Sequence, residues 1–200
     1  MTDHHHHEHE HDHAHDHADD GEAARAEAEA EARRRFALGQ IRQYGDPALK
    51  LAAHEVVDFD DDLRRLVERM TTLMHEAQGV GLAATQVGVL RRLFVFEPDE
   101  EGPRVIVNPV VVERSDENAV DEEGCLSLQG VRVPVERAVT VTLEGKDADG
   151  EDVRFELAEY GARIVQHELD HLDGVLIIDR TDDEHRRQAL STLRPRAVLR

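Results

Sequence analysis

The sequence has little of what secreted, membrane-spanning or disulfide-stabilised proteins need. Its 200 residues include a single cysteine, Cys125, so an internal disulfide is impossible and the disulfide-rich secreted class is excluded. No apolar run approaches the ~20 residues of a membrane span. The N-terminus has no basic region followed by an apolar stretch, which argues against secretion and organelle import. We therefore expect a soluble, cytoplasmic protein that does not act at a membrane.

Basic residues are also scarce. The chain has 24 Lys and Arg against 44 Asp and Glu, a net charge of −20. Seven of these acids lie in the first twenty residues, and the other 37 still outnumber the basic residues, which leaves about −13 for the rest of the chain. Such a charge opposes a broad nucleic-acid-binding surface, and we expect no DNA binding. The length and a hydrophobic content of 40% suit one domain with one core, expected to be a monomer.

The first twenty residues, "MTDHHHHEHEHDHAHDHADD", carry nine of the fourteen histidines and no Lys or Arg. Such a segment cannot bury apolar surface, so we expect residues 1–20 to be disordered. Its alternation of histidine with acids differs from the uninterrupted run of an affinity tag and favours a natural tail that binds divalent metal weakly. Residues 21–35, rich in alanine and charge, predict a solvated helical linker. The folded domain is expected over residues 36–182, followed by a basic segment over 183–200.

Two periodicities alternate in the folded part of the chain. Leucines and methionines at helical spacing over residues 61–78 predict an amphipathic helix that packs into the core. Short β-rich runs predict strands over residues 93–97, 104–113, 131–136, 138–145 and 153–160. A second helix around residue 164 and a strand over residues 175–179, "VLIID", are expected next. Strands in a row with a helix on either side favour an α+β fold, with antiparallel or mixed sheets packed against helices.

The stretch "IVQHELDHLDG" places two histidines four residues apart. In a helix, His167 and His171 lie one turn apart on one face, so both imidazoles can reach one metal ion, with Glu168 at the edge of that site. Histidines at this spacing can also be merely solvated on a helix surface. An ion that is held firmly and keeps one position open for water needs a third protein ligand.

Two further stretches are candidates for chemistry. "GVGLAATQVG", residues 79–88, follows the amphipathic helix, but it lacks the spacing and the Gly-Lys-Ser/Thr ending of a phosphate loop, so a tightly packed turn is the plainer interpretation. "EEGCLS", residues 122–127, contains Cys125, and the commonest fate of a lone cysteine is a small buried apolar residue.

Taken in this order and at these spacings, "GVGLAATQ", "EGCLS" and "QHELDH" resemble the three signatures of the peptide deformylase family. The resemblance covers roughly residues 41–179. It implies a metalloenzyme that removes the formyl group from the initiator methionine of new polypeptides and releases formate. It also implies an α+β fold with the "HELDH" helix at its centre. The chain departs from many relatives after "EGCLS", where Gln129 and Gly130 replace a proline, so a looser loop is expected there.

The resemblance implies a third ligand for the metal. Cys125 joins His167 and His171, and a thiolate with two neutral imidazoles leaves a fourth position for water. The ion would lower the pKa of this water towards ~7, so that hydroxide can attack the formyl carbon. Glu168 is expected to act as general acid and base in that reaction.

The resemblance also assigns residues around the reacting bond. The oxyanion formed by the attack needs catalytic donors, which would be the side-chain amide of Gln86 and the backbone N–H of Leu126. The peptide is expected to lie extended in a groove, paired as an added strand. The residues implied to line this groove are Val80, Gly81, Glu123, Arg132 and Ile164, with Ile164 in the wall of an apolar methionine pocket.

Behind the ligands, Asp170 is a candidate for steadying the motif helix. Arg137 is the partner that we expect for its carboxylate. A plain surface position for both residues is the alternative.

The donor set bears on the metal and on rival functions. One cysteine and two histidines suit zinc, whereas the resemblance implies Fe²⁺ in the cell, with Ni²⁺, Co²⁺ or Zn²⁺ able to take the same site. An HExxH zinc peptidase is one rival, although its third ligand normally lies downstream of the helix. A metal-storage protein is the other, suggested by the histidine-rich tail, but storage needs neither Glu168 nor Gln86.

The C-terminal stretch "HRRQALSTLRPRAVLR" carries five arginines and no acid. Its first part can continue as a helix, which Pro195 should end. One interpretation is a solvated helix end, favoured by the helix dipole. The other is a salt-sensitive contact with ribosomal RNA near the site where N-formyl-Met nascent peptides emerge.

Overall fold

The computed structural model describes residues 16–194. Its α-helices are α1 (Asp16–Gln40), α2 (Asp61–Glu76), α3 (Glu159–Leu172) and α4 (Asp183–Leu193). Its strands are β1 (Gly81–Ala83), β2 (Leu93–Phe96), β3 (Arg104–Arg114), β4 (Asn118–Gly124), β5 (Arg132–Ala138), β6 (Thr140–Lys146) and β7 (Asp152–Ala158). Short 3₁₀ helices cover Pro47–Lys50, Ala84–Val87 and Ile177–Asp179. The predicted α+β fold is confirmed. None of the helices described here combines the length and apolar character needed to cross a membrane.

The strands form two sheets. Five of them make one sheet in the order β1-β2-β3-β6-β7, and β4 pairs with β5 in a second. All of these pairings are antiparallel. β1 is an outer strand of the large sheet, and β4 has β5 on one side only. Within residues 16–194, each of these two strands therefore keeps one edge without a neighbouring strand.

Helix α2 confirms the predicted amphipathic helix. The side chain of Asp60 accepts a hydrogen bond from the backbone N–H of Leu63 at 2.9 Å and so caps the first turn. Leu63, Met70 and Met74 on one face are buried, and the helix packs on α1, β1 and β2. The buried side chains of α2 pack with residues of α1, β1, β2 and β3 in one apolar cluster.

Helix α3 is the central helix that the resemblance implies. It contacts β1, β2, β6 and β7 of the large sheet and β5 of the small one. Ten of its 14 residues are buried, so both its apolar and its polar side chains face protein. The helix stops at Gly174, whose φ of +72° favours glycine and where a Cβ would lie 2.8 Å from the carbonyl of Lys50.

The prediction of a strand over residues 175–179 is wrong. This segment is an extended piece followed by the 3₁₀ helix Ile177–Asp179, in which Asp179 accepts from the backbone N–H of Leu176 at 2.9 Å. Leu176, Ile177 and Ile178 are buried in the cluster beneath β5 and α4. The apolar run therefore packs as a core segment and pairs with no strand of residues 16–194. Strands β1 and β4 were not predicted, because β1 has three residues and β4 is mostly exposed and acidic.

The charged segment before the domain is helical, as predicted for residues 21–35. Helix α1 begins at Asp16, inside the segment for which we expected disorder, and residues 1–15 lie outside the described residues. It also runs on to Gln40, and its last turns bury Ala37 and Leu38 against α2. The linker and the folded domain are thus joined by one continuous helix.

Candidate metal centre

The three predicted metal ligands come together where β4 ends against α3. The Nε2 atoms of His167 and His171, one turn apart on α3, are separated by 3.2 Å. Cys125 directly follows β4, and its Sγ lies 3.2 Å from Nε2 of His171. All three ligand atoms lie within 4.8 Å of one another. Two imidazoles and one thiol therefore converge on a single point.

This donor set fits a divalent ion. Ligand atoms that surround zinc tetrahedrally at about 2.0–2.3 Å lie roughly 3.3–3.6 Å apart, close to the two separations of 3.2 Å from His171 to His167 and to Cys125. The backbone N–H of Ser127 donates to Cys125 Sγ at 3.4 Å and so helps to fix the position of the sulfur beside the two imidazoles. His171 is buried, whereas Cys125 and His167 are partly exposed. One side of the cluster thus stays open to a small molecule.

Glu123 orients His167 from behind. Its Oε2 lies 3.0 Å from Nδ1 of His167, and a proton on Nδ1 leaves the Nε2 lone pair directed at the ligand cluster. Burial raises the pKa of the Glu123 carboxyl, but hydrogen bonds from His167 and Arg137 outweigh it and lower the pKa to about 2. The residue was predicted to line the substrate groove with its backbone, and its side chain, which is 5% exposed, turns towards His167.

The predicted contact between Asp170 and Arg137 exists and is part of a buried network. Arg137 donates to both oxygens of Glu123, at 2.9 and 3.0 Å, and to Asp170 Oδ2 at 2.6 Å. Arg180 donates to Asp170 Oδ1 at 2.6 Å. Arg137 and Asp170 are 6% and 7% exposed, so the alternative of a surface position is wrong. The network therefore links the three elements that carry these side chains: Asp170 on α3, Glu123 on β4 and Arg137 on β5.

Glu168 lies beside the ligands with one oxygen unused. Burial raises the pKa of its carboxyl to about 7, the range in which a general acid or base works best at neutral pH. Its Oε2 is buried and has no hydrogen-bond partner among the described residues. Gly81 on β1 makes room for the other oxygen, because a Cβ at that position would lie 2.3 Å from Glu168 Oε1. The carboxyl group is therefore fixed against the strand while Oε2 can take or give a proton.

Gln86 and Leu126 present N–H groups next to Cys125. The side-chain oxygen of Gln86 accepts from the backbone N–H of Ala83 at 2.8 Å, which turns its amide nitrogen the other way. That nitrogen lies 3.1 Å from Ser127 Oγ and 3.7 Å from Cys125 Sγ. The backbone N–H of Leu126 has no acceptor within the described part of the chain. The Gln86 amide and the Leu126 backbone N–H thus lie where an oxygen atom close to Cys125 could accept hydrogen bonds from them.

The cluster opens into a cleft of about 620 Å³. Its wall includes the predicted groove residues Val80, Gly81, Glu123, Arg132 and Ile164, together with Gln86, Cys125, Leu126, His167 and Glu168. His171 is not in this wall and lies buried behind it. Residues of β1 and β4, the two strands that keep one edge unpaired within residues 16–194, are both in the cleft wall. An extended peptide between them could add hydrogen bonds to either strand.

Sequence reasoning missed several residues of this site. Arg163 lies one turn before His167 on α3 and donates to Glu123 Oε1 at 2.8 Å, and this helical spacing was a signal that could have found it. Arg180 lies in a loop, and no pattern pointed to it. Helix α1 supplies Arg34 and Leu38 to the cleft wall, although Arg34 falls in the segment that was predicted to be a solvated linker.

Comparison with known proteins agrees with this geometry. A family profile described as polypeptide deformylase matches residues 38–187. Peptide deformylase 1 of Corynebacterium glutamicum is 45% identical over 164 residues, which cover 80% of this chain and 97% of that relative. The crystal structure of peptide deformylase from Thermotoga maritima is similar with a TM-score of 0.69 and 45% identity, covering 71% of this chain and 96% of the other. A Plasmodium falciparum peptide deformylase in complex with an inhibitor is similar with a TM-score of 0.71 and 37% identity. The match covers 76% of this chain and 96% of that one. The chain therefore belongs to the peptide deformylase family of hydrolases.

Proposed function

We propose that this protein removes the formyl group from the initiator methionine of newly made polypeptides in the cytoplasm and releases formate. One observation carries the proposal: a Cys-His-His cluster and the buried Glu168 meet at a cleft whose wall includes residues of β1 and β4. A metal store needs no buried carboxyl group at the cluster. A peptidase of the HExxH type would take its third ligand from downstream of the helix, whereas Cys125 lies upstream.

The cluster would hold one divalent ion, Fe²⁺ in the cell, with Zn²⁺, Ni²⁺ or Co²⁺ able to substitute. An ion bound there supplies an activated water and a positive charge beside the formyl oxygen. Cys125 contributes a thiolate, and His167 and His171 contribute neutral imidazoles. Glu123 keeps the proton of His167 on Nδ1, so that Nε2 can remain a ligand.

Glu168 would move the protons of the reaction. Its Oε2 accepts a proton from the attacking water and returns it to the amine nitrogen of methionine as the bond to the formyl carbon breaks. The nitrogen leaves as a neutral amine and the formyl group as formic acid, which loses its remaining proton to solvent and becomes formate at neutral pH. The unpartnered Oε2 supports this role, since no other group of the described residues competes for its proton.

The oxygen of the formyl group gains negative charge during the attack. The Gln86 amide and the Leu126 backbone N–H would stabilise it, because donors that are already oriented cost no reorganisation when the charge develops. The bond from Ala83 to the Gln86 oxygen supports this role by holding the amide nitrogen in place.

The peptide would lie extended between β1 and β4. Val80, Gly81 and the backbone around Glu123 would pair with it as strand edges, and Arg132 would contact its backbone. Ile164 is buried in the cleft wall and would form one side of the methionine pocket.

The test is product analysis with metal-loaded protein purified without oxygen. Matched peptides that begin with formyl-Met, acetyl-Met or free Met are incubated, and formate and peptide masses are measured. We expect formate and an intact shortened peptide from the formyl substrate alone. Cleavage of internal peptide bonds would instead indicate a peptidase, and absence of formate with every divalent metal would refute the proposal.

We also propose that the basic C-terminus keeps the monomeric enzyme near the ribosome. In α4, Arg186 donates to the carbonyl of Ile178 at 2.8 Å and to Asp179 at 2.9 Å, so it is committed to the domain. Arg187 and Arg194 are exposed, and residues 195–200 lie outside the described residues. Truncation after Asp183 should abolish co-sedimentation with ribosomes at low salt, and replacing Arg187 and Arg194 by Gln should weaken it while α4 stays packed. Equal sedimentation of the truncated and full-length proteins would exclude this contact.

For the histidine-rich segment we propose a role in collecting metal. Deletion of residues 1–20 should leave turnover of the loaded enzyme unchanged and slow reloading of the metal-free protein when metal is scarce. Equal reloading rates with and without the segment would exclude this role.

A further inference from the structure

Helix α1 enters the cleft at a place that the proposed chemistry does not use. Its last turns are anchored by Ala37 and Leu38, and Leu38 belongs to the apolar cluster on which Leu126 packs. Arg34 lies one turn before Leu38 on the same helix face. Both side chains are in the cleft wall, so Arg34 is held at the cleft by the packing of the turn that follows it.

The guanidinium group of Arg34 has a hydrogen-bond donor without an acceptor. Its Nε is buried and has no partner among the described residues. Its ion pair is with Glu31, at 3.9 Å between Nη1 and Oε2, and the two side chains are 37% and 65% exposed. Arginine stays protonated and carries five N–H donors, so a buried donor costs free energy until an acceptor reaches it.

The other arginines in the cleft wall have closer acids. Arg163 donates to Glu123 at 2.8 Å, and Arg132 lies 3.4 Å from the Glu122 carboxylate. Arg34 thus has the longest ion-pair distance of the cleft arginines in the described chain. It is the cation there that a new anion could approach with the least competition.

We propose that Arg34 determines substrate specificity by binding a carboxylate on one of the peptide residues that follow the formylated methionine. The inference rests on the proposed deformylation, because it requires a peptide to lie along the cleft. A carboxylate suits the planar fork of a guanidinium group, to which it can accept two parallel hydrogen bonds. An extended peptide advances about 3.3 Å per residue, so one or two positions at most can meet a side chain anchored to a helix.

The experiment compares kcat/KM for formyl-Met peptide amides that differ at a single position. Asp is compared with Asn, and Glu with Gln, at the second, third and fourth residues, and amidation removes the terminal carboxylate. The wild-type protein is expected to prefer the acid over its amide by about twofold to fivefold at one position, the scale of a partly exposed ion pair. The ratio of kcat/KM for the acidic and amide peptides should fall to one in Arg34→Gln. Arg34→Glu should instead prefer a peptide with Lys at that position over the one with Gln.

Arg33→Gln is the matched control, because Arg33 is 57% exposed, pairs with Glu29 and is not in the cleft wall. It should keep the wild-type preference. A preference that survives in Arg34→Gln, or an equal loss for acidic and amide peptides, would overturn carboxylate recognition by Arg34. Absence of formate release from every amide peptide would instead refute the proposed function, on which this inference depends.

Discussion

The carboxylate of Glu123 lies 3.0 Å from Nδ1 of His167, on the opposite side of that ring from the ligand atoms. The same carboxylate receives two hydrogen bonds from Arg137 and one from Arg163. One buried acid therefore connects a proposed metal ligand to a hydrogen-bonded network inside the protein. Partners of this kind orient the ligand and tune its basicity.

Replacing Glu123 with Gln should weaken metal binding by about tenfold to a hundredfold, the usual cost of losing such a partner. The neutral amide accepts less strongly from Nδ1 and cannot balance the charge of Arg137. Competition with a chromophoric chelator measures the affinity, and Glu122→Gln, at the exposed neighbouring position, is the control. Equal affinities for both variants and the wild type would show that Glu123 does not support the ligand.

Replacing Gly81 with Ala should lower turnover by about a hundredfold, the scale of positioned acid and base catalysis. The added Cβ would lie 2.3 Å from Glu168 Oε1, so the carboxyl group must move. Gly39→Ala is the control, since a Cβ there meets nothing within 4 Å and Ala favours the helix. Steady-state kinetics on a formyl-Met peptide measure the turnover of both variants. Unchanged turnover of the Gly81 variant would mean that the position of Glu168 is not critical.

Replacing Glu168 with Ala should leave the metal bound and the fold intact, because the proposed ligands are Cys125, His167 and His171. Turnover should nevertheless fall by at least about a hundredfold. Metal content by elemental analysis and formate release are measured on the same sample. A variant that loses its metal would identify Glu168 as a ligand and contradict the role assigned to it.

Replacing Arg137 with Met should lower the free energy of unfolding by about 3–5 kcal/mol. Removing one member of a buried ion-pair network leaves Glu123 and Asp170 with less compensation for their burial. Urea unfolding of the metal-free proteins measures the change without a contribution from metal binding. Arg154→Met, at an exposed position of β7, is the control and should change stability little. Equal stability of the two variants would show that the buried network contributes nothing.

The sequence predicted what is local to one element. Helical spacing was enough to place His167 and His171 on one face, and the same spacing predicted α2. The pairing of Cys125 with these histidines came from the family resemblance, because residues 42 and 46 positions apart meet only through the contact of the end of β4 with α3.

What the sequence could not predict depends on contacts between elements. The role of Glu123 follows from its burial beside α3. The other residues of its strand are exposed and several are acidic, so the sequence pattern did not distinguish Glu123 from them. The run "VLIID" has the composition of a strand, but it is buried under β5 and α4 and pairs with no strand of residues 16–194. The place of Arg34 in the cleft wall depends on the packing of α1 against α2, and composition alone indicated only a solvated helix.

The measurement that tests the central claim most directly is formate release as a function of bound metal. The metal is removed by a chelator without oxygen, and Fe²⁺ is added back in steps while formate and metal content are followed. We expect formate release to vanish in the metal-free protein and to rise in proportion to bound metal up to one ion per chain, with no recovery in Cys125→Ala. Formate release that persists without metal, or that Cys125→Ala recovers fully, would contradict a reaction centred on Cys125, His167 and His171.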